Sequence, residues 1–282
     1  TGGTLLAGGE SAAVTSVSTD SRKAGEGALF IPLTGERFDG HDYIDKALAL
    51  GAAGCLCART PAAFLPDKFY IAVPDTRLAL KALASWYRGQ FNIPVVQITG
   101  SVGKTTTKDL TAAVLSARWN VLKTQANFNN EIGLPLTLMQ LTSVHQAAVV
   151  EIGMRGLGQI AAMAPIASPS IGVVTNVGET HMELLGSLAN IAKAKAELVE
   201  AIPAGGTVVL NADNPYVAAM RTKAQTGVRV LTFGVQEKAD IGGPDVVDAG
   251  SLGAKFSRKG DLGDLLEAGA KVGNVVLHKY LG

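Results

Sequence analysis

VVQITGSVGKTTTKDLTAAVLSARW, residues 95–119, has the pattern of a strand, a turn and a helix in direct succession. The β-branched run before the turn predicts a buried strand, and Gly100 and Gly103 let the backbone turn with no Cβ in the way of a ligand. From Lys104 onward apolar residues recur at helical spacing, namely Leu110, Val114 and Ala117. This succession is how a phosphate-binding loop is built.

A helix that begins at such a turn directs unpaired N–H groups and the positive end of its dipole at whatever lies over the loop. Lys104 supplies a cation for the β- and γ-phosphates, and the Thr105 hydroxyl is placed to bind Mg²⁺. The strict pattern G-x-x-x-x-G-K-[ST] would need a glycine where Ile98 stands. The alternative is an ordinary strand-to-helix turn with an exposed lysine. The predicted nucleotide-binding residues of the loop are Gly100, Ser101, Val102, Gly103, Lys104, Thr105 and Thr106.

Composition narrows the class of protein. With 282 residues, 47% hydrophobic and 17% charged, the chain has the length of two domains and can bury a core. A net charge of +1 argues against a nucleic-acid or anionic-membrane partner. No apolar run reaches transmembrane length, which predicts a cytoplasmic protein without membrane insertion. Cys55 and Cys57, inside AAGCLCA, are predicted to be small core residues of a strand and not a redox or zinc pair.

Residues 1–92 are predicted to form a first domain without a nucleotide motif. Strands are expected at 28–33 and 69–73, and a helix at 76–91. Two polar segments interrupt these elements, one around Ser21 and Arg22 and one at Asp39-Gly40-His41. From the residues alone the first is a turn, and the second is a helix entry with Asp39 near the N-cap.

Residues 93–243 alternate short apolar runs with helices, which predicts a doubly wound, mostly parallel α/β domain. Ligands of such sheets collect beyond the carboxyl ends of the strands. The polar residues that follow the predicted strands are Glu151, Asn176, Glu179, His181, Asn211 and Asp213. They form one candidate site with the loop at 100–106.

Glu151 ends the apolar run AAVVE, and beside a magnesium–nucleotide loop it is predicted to hold the metal instead of capping a structural element. His181 is either a metal ligand or a satisfied structural histidine. Lys195 falls on the apolar stripe of the helix at 188–202, where desolvation favours the neutral amine. That amine either reacts with CO₂ to form a carbamate, an anionic metal ligand, or snorkels or pairs with Glu179 or Glu197.

Several motifs, all in the same order, resemble those of the Mur ligase family, and within it the MurF branch. They are TDSRKAGEGALFIPLTGERFDGHDYI, ITGSVGKTTTKDL, TQANFNNEIGLPLTL, VEIGMRGLGQI, TNVGETHMELLGS, IAKAKAEL and VVLNADN. The resemblance covers residues 4–235. It implies an ATP-dependent ligase that adds D-alanyl-D-alanine to UDP-N-acetylmuramoyl-tripeptide through an acyl phosphate, in peptidoglycan precursor synthesis. ATP and Mg²⁺ are the implied cofactors, and the implied state is a monomer.

The resemblance also implies roles for single residues. Lys104 would hold the phosphates, and Asn176 would lie at the nucleotide. Thr105 and Glu151 would hold one Mg²⁺, and His181 with carbamylated Lys195 a second. Residues implied at the muramoyl-peptide or UDP end of the substrate are Asn127, Asn130, Ser21, Arg22, Asp39, Gly40 and His41.

Residues 244–282 depart from the family pattern, because the adenine-contacting segment and the third domain of MurF enzymes have no counterpart here. We expect either a remnant of a C-terminal domain, with one or two helical turns at 262–266 and a strand at 275–277, or a sequence that omits stretches between about 240 and 275. The chain is expected to bind substrates without full ligation. The alternatives are a sister Mur ligase, a folylpolyglutamate-synthase-like ligase, or a non-catalytic nucleotide-binding remnant.

Overall fold

The computed structural model describes residues 2–9, 12–180, 182–242, 247–248 and 254–255. The strands are β1 (Thr4–Ala7), β2 (Ser16–Ser18), β3 (Ala28–Phe30), β4 (Gly54–Cys57), β5 (Phe69–Ala72), β6 (Val95–Thr99), β7 (Val121–Lys123), β8 (Ala147–Glu151), β9 (Ile171–Val174), β10 (Thr207–Asn211), β11 (Arg229–Gly234), β12 (Ile241–Gly242), β13 (Val247–Asp248) and β14 (Ala254–Lys255). The helices are α1 (Ile44–Ala49), α2 (Thr76–Arg88), α3 (Lys104–Ser116), α4 (Gly133–Leu138), α5 (Gln159–Ala167), α6 (Met182–Leu185), α7 (Leu188–Ala201) and α8 (Pro215–Ala219). Short 3₁₀ turns lie at Gly40–Tyr43 and Met220–Lys223.

The first sheet has five strands in the order β1-β5-β4-β3-β2. Only β1 runs antiparallel, against β5, and the other pairs are parallel. Side chains alternate between its two faces: Cys55 and Cys57 belong to a core cluster with α1, and Leu56 belongs to a second cluster with α2. Both cysteines are free and buried, and burial raises the pKa of each thiol. The prediction that they are core residues of a strand is confirmed.

The second sheet has seven strands in the order β12-β11-β10-β9-β6-β8-β7. Its strand pairs with a described register are all parallel. From β6 the chain continues to β7 at one edge, and after β8 it crosses to β9 on the other side of β6. Strand order therefore reverses at β6, which makes its carboxyl end the switch point where ligands of such folds bind. The predicted doubly wound α/β fold is confirmed.

Contacts divide the chain into two compact units. One comprises the described residues up to Val95 together with Lys108–Gly153 and Ala162–Ser168. The other comprises Val96–Thr107, Met154–Ala161 and the described residues from Pro169 onward. The domain boundaries 1–92, 93–243 and 244–282 stay a prediction. The elements expected at 262–266 and 275–277 lie outside the described residues.

Helix α3, which the apolar spacing predicted, does not bury the residues that mark this spacing. Leu110 and Val114 are 37% and 45% exposed, whereas Lys108 and Ala112 are buried. Lys108 tolerates burial because its ammonium donates to the Thr124 carbonyl at 2.9 Å. The apolar spacing identified the helix correctly, and the tertiary structure decided which of its faces is buried. None of the helices in the described part of the chain has the length and apolarity that a bilayer crossing requires.

Arg88 joins the end of α2 to two other segments. Its buried guanidinium donates to three backbone carbonyls: from Nε to Ala167 at 2.9 Å, from Nη1 to Phe91 at 2.6 Å, and from Nη2 to Ile93 at 3.0 Å.

We expect Arg88→Met to lower the free energy of unfolding by about 3 kcal/mol, because three carbonyls lose their charged donor. Urea denaturation measures the change. Gln90→Ala, which removes an exposed bond to Trp86, serves as the control and should cost less than ~0.5 kcal/mol. Equal stabilities of the two variants would contradict the assignment.

Candidate functional site

The loop between β6 and α3 has the geometry of a phosphate-binding loop. Gly103 has a φ of +83°, a conformation that favours glycine, and α3 begins at Lys104. At Gly100 an added Cβ would lie 1.8 Å from Thr175 Oγ1, so no other residue fits there. The two glycines singled out from the sequence are therefore both required by the fold, the first by close approach to β9 and the second by backbone conformation.

Asn176, just past the end of β9, holds this loop in place. Its Oδ1 accepts the N–H groups of Ser101 at 3.0 Å and Val102 at 2.8 Å. The Ser101 hydroxyl in turn bonds to the backbone of Gly178, and Thr175 Oγ1 donates to the Val102 carbonyl at 2.7 Å. Sequence reasoning placed Asn176 beside the nucleotide. The structure shows it as a support of the loop, with its carboxamide oxygen already bonded to two loop amides.

Lys104 lies folded over the loop that it follows. Its Nζ donates to the carbonyls of Gly100 at 2.8 Å and Ser101 at 3.1 Å, and the residue has a further interaction. Thr105 and Thr106 occupy the next positions of the first turn and are exposed. The structure thus concentrates a cation and two hydroxyl residues at the helix N-terminus, where a phosphate group is favoured.

Lys195 is buried on α7, as its place on the apolar stripe predicted, with 2% of its surface exposed. Burial and, to a lesser extent, the charge of Lys104 together lower the pKa of Lys195 to about 7. Within the described part of the chain neither Glu179 nor Glu197 forms an ion pair with it. The Glu197 carboxylate instead accepts the N–H groups of Gly158 at 2.6 Å and Ala161 at 2.9 Å, near the start of α5.

Two polar side chains of β6 share the α7 side of the sheet. Gln97 pairs in register with Gly172, where an added Cβ would lie 2.9 Å from Cγ1 of Ile202, just past α7. Side chains of paired parallel residues point to the same face, so Gln97 and, two residues on, Thr99 face α7. Both are 0% exposed, and their side-chain polar atoms have no hydrogen-bond partner among the described residues. With the Lys195 amine, this side of β6 carries buried donors suited to an anionic oxygen group.

Glu151 ends β8, as predicted, and belongs to the other compact unit. It is 2% exposed, its backbone N–H donates to Thr124 Oγ1 at 3.0 Å, and its Oε1 accepts from Asn129 Nδ2 at 2.7 Å. Sequence reasoning missed Asn129, although it lies between the two asparagines that were named. The run of three asparagines in NFNN was the available signal, but which one reaches the carboxylate depends on the turn of the loop.

The neighbouring Asn130 starts helix α4. Its Oδ1 accepts the N–H groups of Ile132 at 3.0 Å and Gly133 at 2.8 Å, which leaves its amide group for other contacts. Asn127 lies exposed at the other end of the same loop. Their contact with a muramoyl peptide stays a prediction.

The segments predicted at the UDP end are held by their own carboxylates. Arg22 donates two hydrogen bonds to Asp20, at 2.9 and 2.8 Å, which lower the pKa of Asp20 to about 2, and the Arg22 side chain stays 77% exposed. Asp39 bonds to Nδ1 of His41 at 2.6 Å, and Nε2 of His41 accepts the N–H of Ala58 at 3.0 Å. Ser21 adjoins Arg22 in the turn, and Gly40 packs against Leu33 and would have no room for a Cβ.

A metal site is only partly represented in the described residues. They contain no group of three or more His, Cys, Asp or Glu side chains that could hold an ion. His181 lies outside the described residues, and the remaining predicted ligands, Thr105, Glu151 and Lys195, supply one hydroxyl, one carboxylate and one desolvated amine. Oxygen donors of this kind suit Mg²⁺ once the amine carries a carboxylate.

Fold and loop together define an α/β protein with a phosphate-binding loop at the switch point of its sheet. A family model described as "Mur ligase middle domain" matches residues 98–262, and one described as "Mur ligase family, catalytic domain" matches residues 13–88. The chain belongs to the Mur ligase family.

A Synechocystis protein named UDP-N-acetylmuramoyl-tripeptide–D-alanyl-D-alanine ligase is 45% identical over 82% of this chain and 50% of its own length. A crystal structure of MurF from Acinetobacter baumannii matches with a TM-score of 0.81 and 31% identity, over 88% of this chain and 53% of that one. The MurF ligase of Thermotoga maritima in complex with ADP matches with a TM-score of 0.77 and 30% identity, over 87% and 56%. The chain spans about half the length of the curated relatives it matches.

Asn176→Ala tests the support of the loop. Without the carboxamide oxygen the N–H of Val102 loses its acceptor, so its amide hydrogen exchange should accelerate about tenfold. The N–H of Ser101 keeps the backbone carbonyl of Asn176 at 3.0 Å and should change less. Mass spectrometry or NMR measures the exchange. Asn190→Ala, which removes a bond to the Leu185 carbonyl beside α7, is the control and should leave the loop amides unchanged. Unaltered exchange in Asn176→Ala would show that the loop does not depend on this side chain.

The lowered pKa of Lys195 predicts how the free energy of unfolding changes with pH. Its pKa is about 7 in the folded chain against 10.5 for an ordinary lysine, so between these values the unfolded chain binds more protons. The free energy of unfolding should therefore rise from pH 7 to pH 10 relative to that of Lys195→Met, and the two curves should run parallel below pH 7. The exposed Lys193, changed to Met, should keep the wild-type slope. Parallel curves across the whole range would contradict a depressed pKa.

Proposed function

We propose that this chain forms the nucleotide-binding and UDP-substrate-binding part of a UDP-N-acetylmuramoyl-tripeptide–D-alanyl-D-alanine ligase of peptidoglycan precursor synthesis. The observation that carries the proposal is its 45% identity, over 82% of its residues, to a ligase of that name. The loop at residues 100–104, which Asn176 and Thr175 hold in place, adds a site suited to phosphate binding. Because the chain matches half of that relative, the complete reaction is proposed for a protein of the relative's length.

The proposed reaction has two steps. The terminal carboxylate of the tripeptide attacks the γ-phosphorus of ATP, which releases ADP and leaves an acyl phosphate. The amine of D-alanyl-D-alanine then attacks the acyl carbon, and the tetrahedral adduct collapses with loss of phosphate and of the amine proton to give the amide. We place this reaction in the cytoplasm, where ATP and the UDP-linked substrate are available, and propose that the protein acts as a monomer.

Lys104 has the central electrostatic role in this proposal. Its ammonium, which now donates to the loop carbonyls of Gly100 and Ser101, would exchange those contacts for the β- and γ-phosphates of ATP. The loop need not rearrange for this, since Asn176 and Thr175 hold it in shape independently of Lys104. A positioned cation of this kind stabilises the negative charge of the phosphoryl group more in the transition state than in the ground state.

Thr105 and Glu151 would hold one Mg²⁺, and His181 and carbamylated Lys195 a second. When bound, Mg²⁺ would offset the negative charge of the phosphoryl group. Glu151 is suited to this role because it is a buried carboxylate at the end of β8 whose orientation Asn129 fixes. Lys195 is suited to carbamylation because a pKa of about 7 keeps much of the amine neutral at physiological pH. The buried Gln97 amide and Thr99 hydroxyl would donate to the resulting anionic oxygens.

The UDP-linked substrate would lie along the segments that the family resemblance indicated. Arg22 is suited to a diphosphate, because Asp20 orients its guanidinium while most of the surface stays exposed. Ser21 and the Asp39–His41 segment would contact the same end of the substrate. Asn127 and Asn130 would contact the muramoyl peptide.

Lys104→Met should weaken the binding of magnesium–ADP at least tenfold, because the first turn of α3 loses the cation that would contact the phosphates. Isothermal titration calorimetry measures the affinity. The same variant should bind UDP-N-acetylmuramoyl-tripeptide as the wild type does, and Lys193→Met is the matched control for loss of a lysine. Wild-type binding of ADP without any binding of the UDP-linked tripeptide would favour the alternative of a nucleotide-binding remnant. Failure to bind either ligand would refute the proposal.

A further inference from the structure

A side-chain network joins the two segments that the proposed function assigns to opposite ends of the UDP-linked substrate. Its centre is Arg77, on the first turn of α2. One arm of the guanidinium, Nη1, donates to Oε1 of Glu131, and the other, Nη2, donates to the Thr34 carbonyl at 3.0 Å. These partners lie 54 and 43 positions away along the chain. Sequence reasoning singled out none of the three residues.

Each end of the network leads directly into a predicted substrate segment. On one side Thr34 forms a backbone bridge with Asp39, and its hydroxyl donates to the Asp39 carboxylate at 3.2 Å. On the other side Glu131 follows Asn130, whose carboxamide begins α4. Asp39 and Asn130 are therefore tied to the same guanidinium through one intervening residue each.

Helix α2 gives the network a rigid base. Its buried face packs Ala79 and Leu80 into the core, at 4% and 0% exposure. One turn beyond Arg77, Lys81 donates from Nζ to Oε2 of Glu131 at 2.9 Å, so both oxygens of the carboxylate are bonded. These two cations hold the pKa of Glu131 below its usual range, with Lys81 as the larger cause. Only Arg77 of the two reaches Thr34 as well.

We propose that Arg77 is a positioning residue that fixes the spacing between the Asp39–His41 segment and the Asn127–Asn130 loop. The inference rests on the proposed function for the identity of the ligand. A ligand long enough to reach both segments benefits from a fixed spacing, because it does not have to order them on binding. A ligand that contacts only the first segment gains nothing from it. Arg77 therefore favours the complete UDP-linked peptide over UDP alone.

The test compares Arg77→Met with Lys81→Met in the full chain. Each variant removes one cation from Glu131, but only the first also breaks the bond to Thr34. Arg77→Met should weaken binding of UDP-N-acetylmuramoyl-tripeptide about fivefold, the effect of a half-exposed charged contact, and leave the affinity for UDP unchanged. Lys81→Met should change either affinity less than twofold by the same reasoning. Arg77→Lys, which keeps the charge without the fork, should fall between them. Calorimetry measures all of these affinities.

A second measurement needs no ligand. Arg77→Met should accelerate amide hydrogen exchange at Gly35, before the first segment, and at Gly40, within it. It should do the same at Phe128, within the second segment, and at Gly133, after it, whereas Lys81→Met should affect at most the amides of the second segment. Exchange unchanged in both segments of Arg77→Met, or equal losses of affinity in the two methionine variants, would overturn the inference. If the wild type binds no UDP-linked tripeptide, the proposed function fails, and the exchange data still decide whether Arg77 couples the segments.

Discussion

The close approach of the loop at residues 100–102 to the end of β9 is the contact on which the rest of the site depends. Thr175 leaves no space for a Cβ at Gly100, and Asn176 accepts the amides of the next two residues. The loop lacks the first glycine of the strict phosphate-binding pattern, and these bonds from a neighbouring strand supply the constraint that local sequence does not. A loop held in this way can present a helix N-terminus and a lysine to phosphate without first being ordered by it.

The same parallel order explains the buried lysine. Helix α7 packs on β9, which lies beside β6, and carries Lys195 on its buried face. On the same side of the sheet, the side chains of Gln97 and Thr99 have no hydrogen-bond partner among the described residues. Burial of an amine without an ion-pair partner among the described residues is unfavourable, and this cost lowers the pKa of Lys195. The capping contacts of Glu197 with the start of α5 keep the carboxylate that would have paired with it engaged elsewhere. The buried amine and the polar side chains of β6 are groups that suit an anionic ligand.

Sequence reasoning succeeded where the signal was local and failed where it depended on distance in space. Hydrophobic periodicity and turn residues act over a few positions, and they were enough to predict three features. These are the strand, turn and helix around Lys104, the buried cysteines of β4 and the position of Glu151 at a strand end. The apolar spacing of α3 did not show which face is buried, since Leu110 and Val114 are exposed. A buried Lys108 satisfied by the Thr124 carbonyl could not be inferred, because the two residues meet only when β7 and α3 have packed.

The sequence by itself determined the class of fold, the phosphate-binding loop, the inward position of Lys195 and the resemblance to the Mur ligases. Only the tertiary structure decided which side chains support the functional ones: Asn176 beneath the loop, Asn129 on Glu151, and Arg77 between Thr34 and Glu131. The physical reason is that a residue's type and neighbours along the chain fix its conformation and its preference for burial. Its hydrogen-bond partner is fixed by strand order and helix packing, which bring together residues dozens of positions apart.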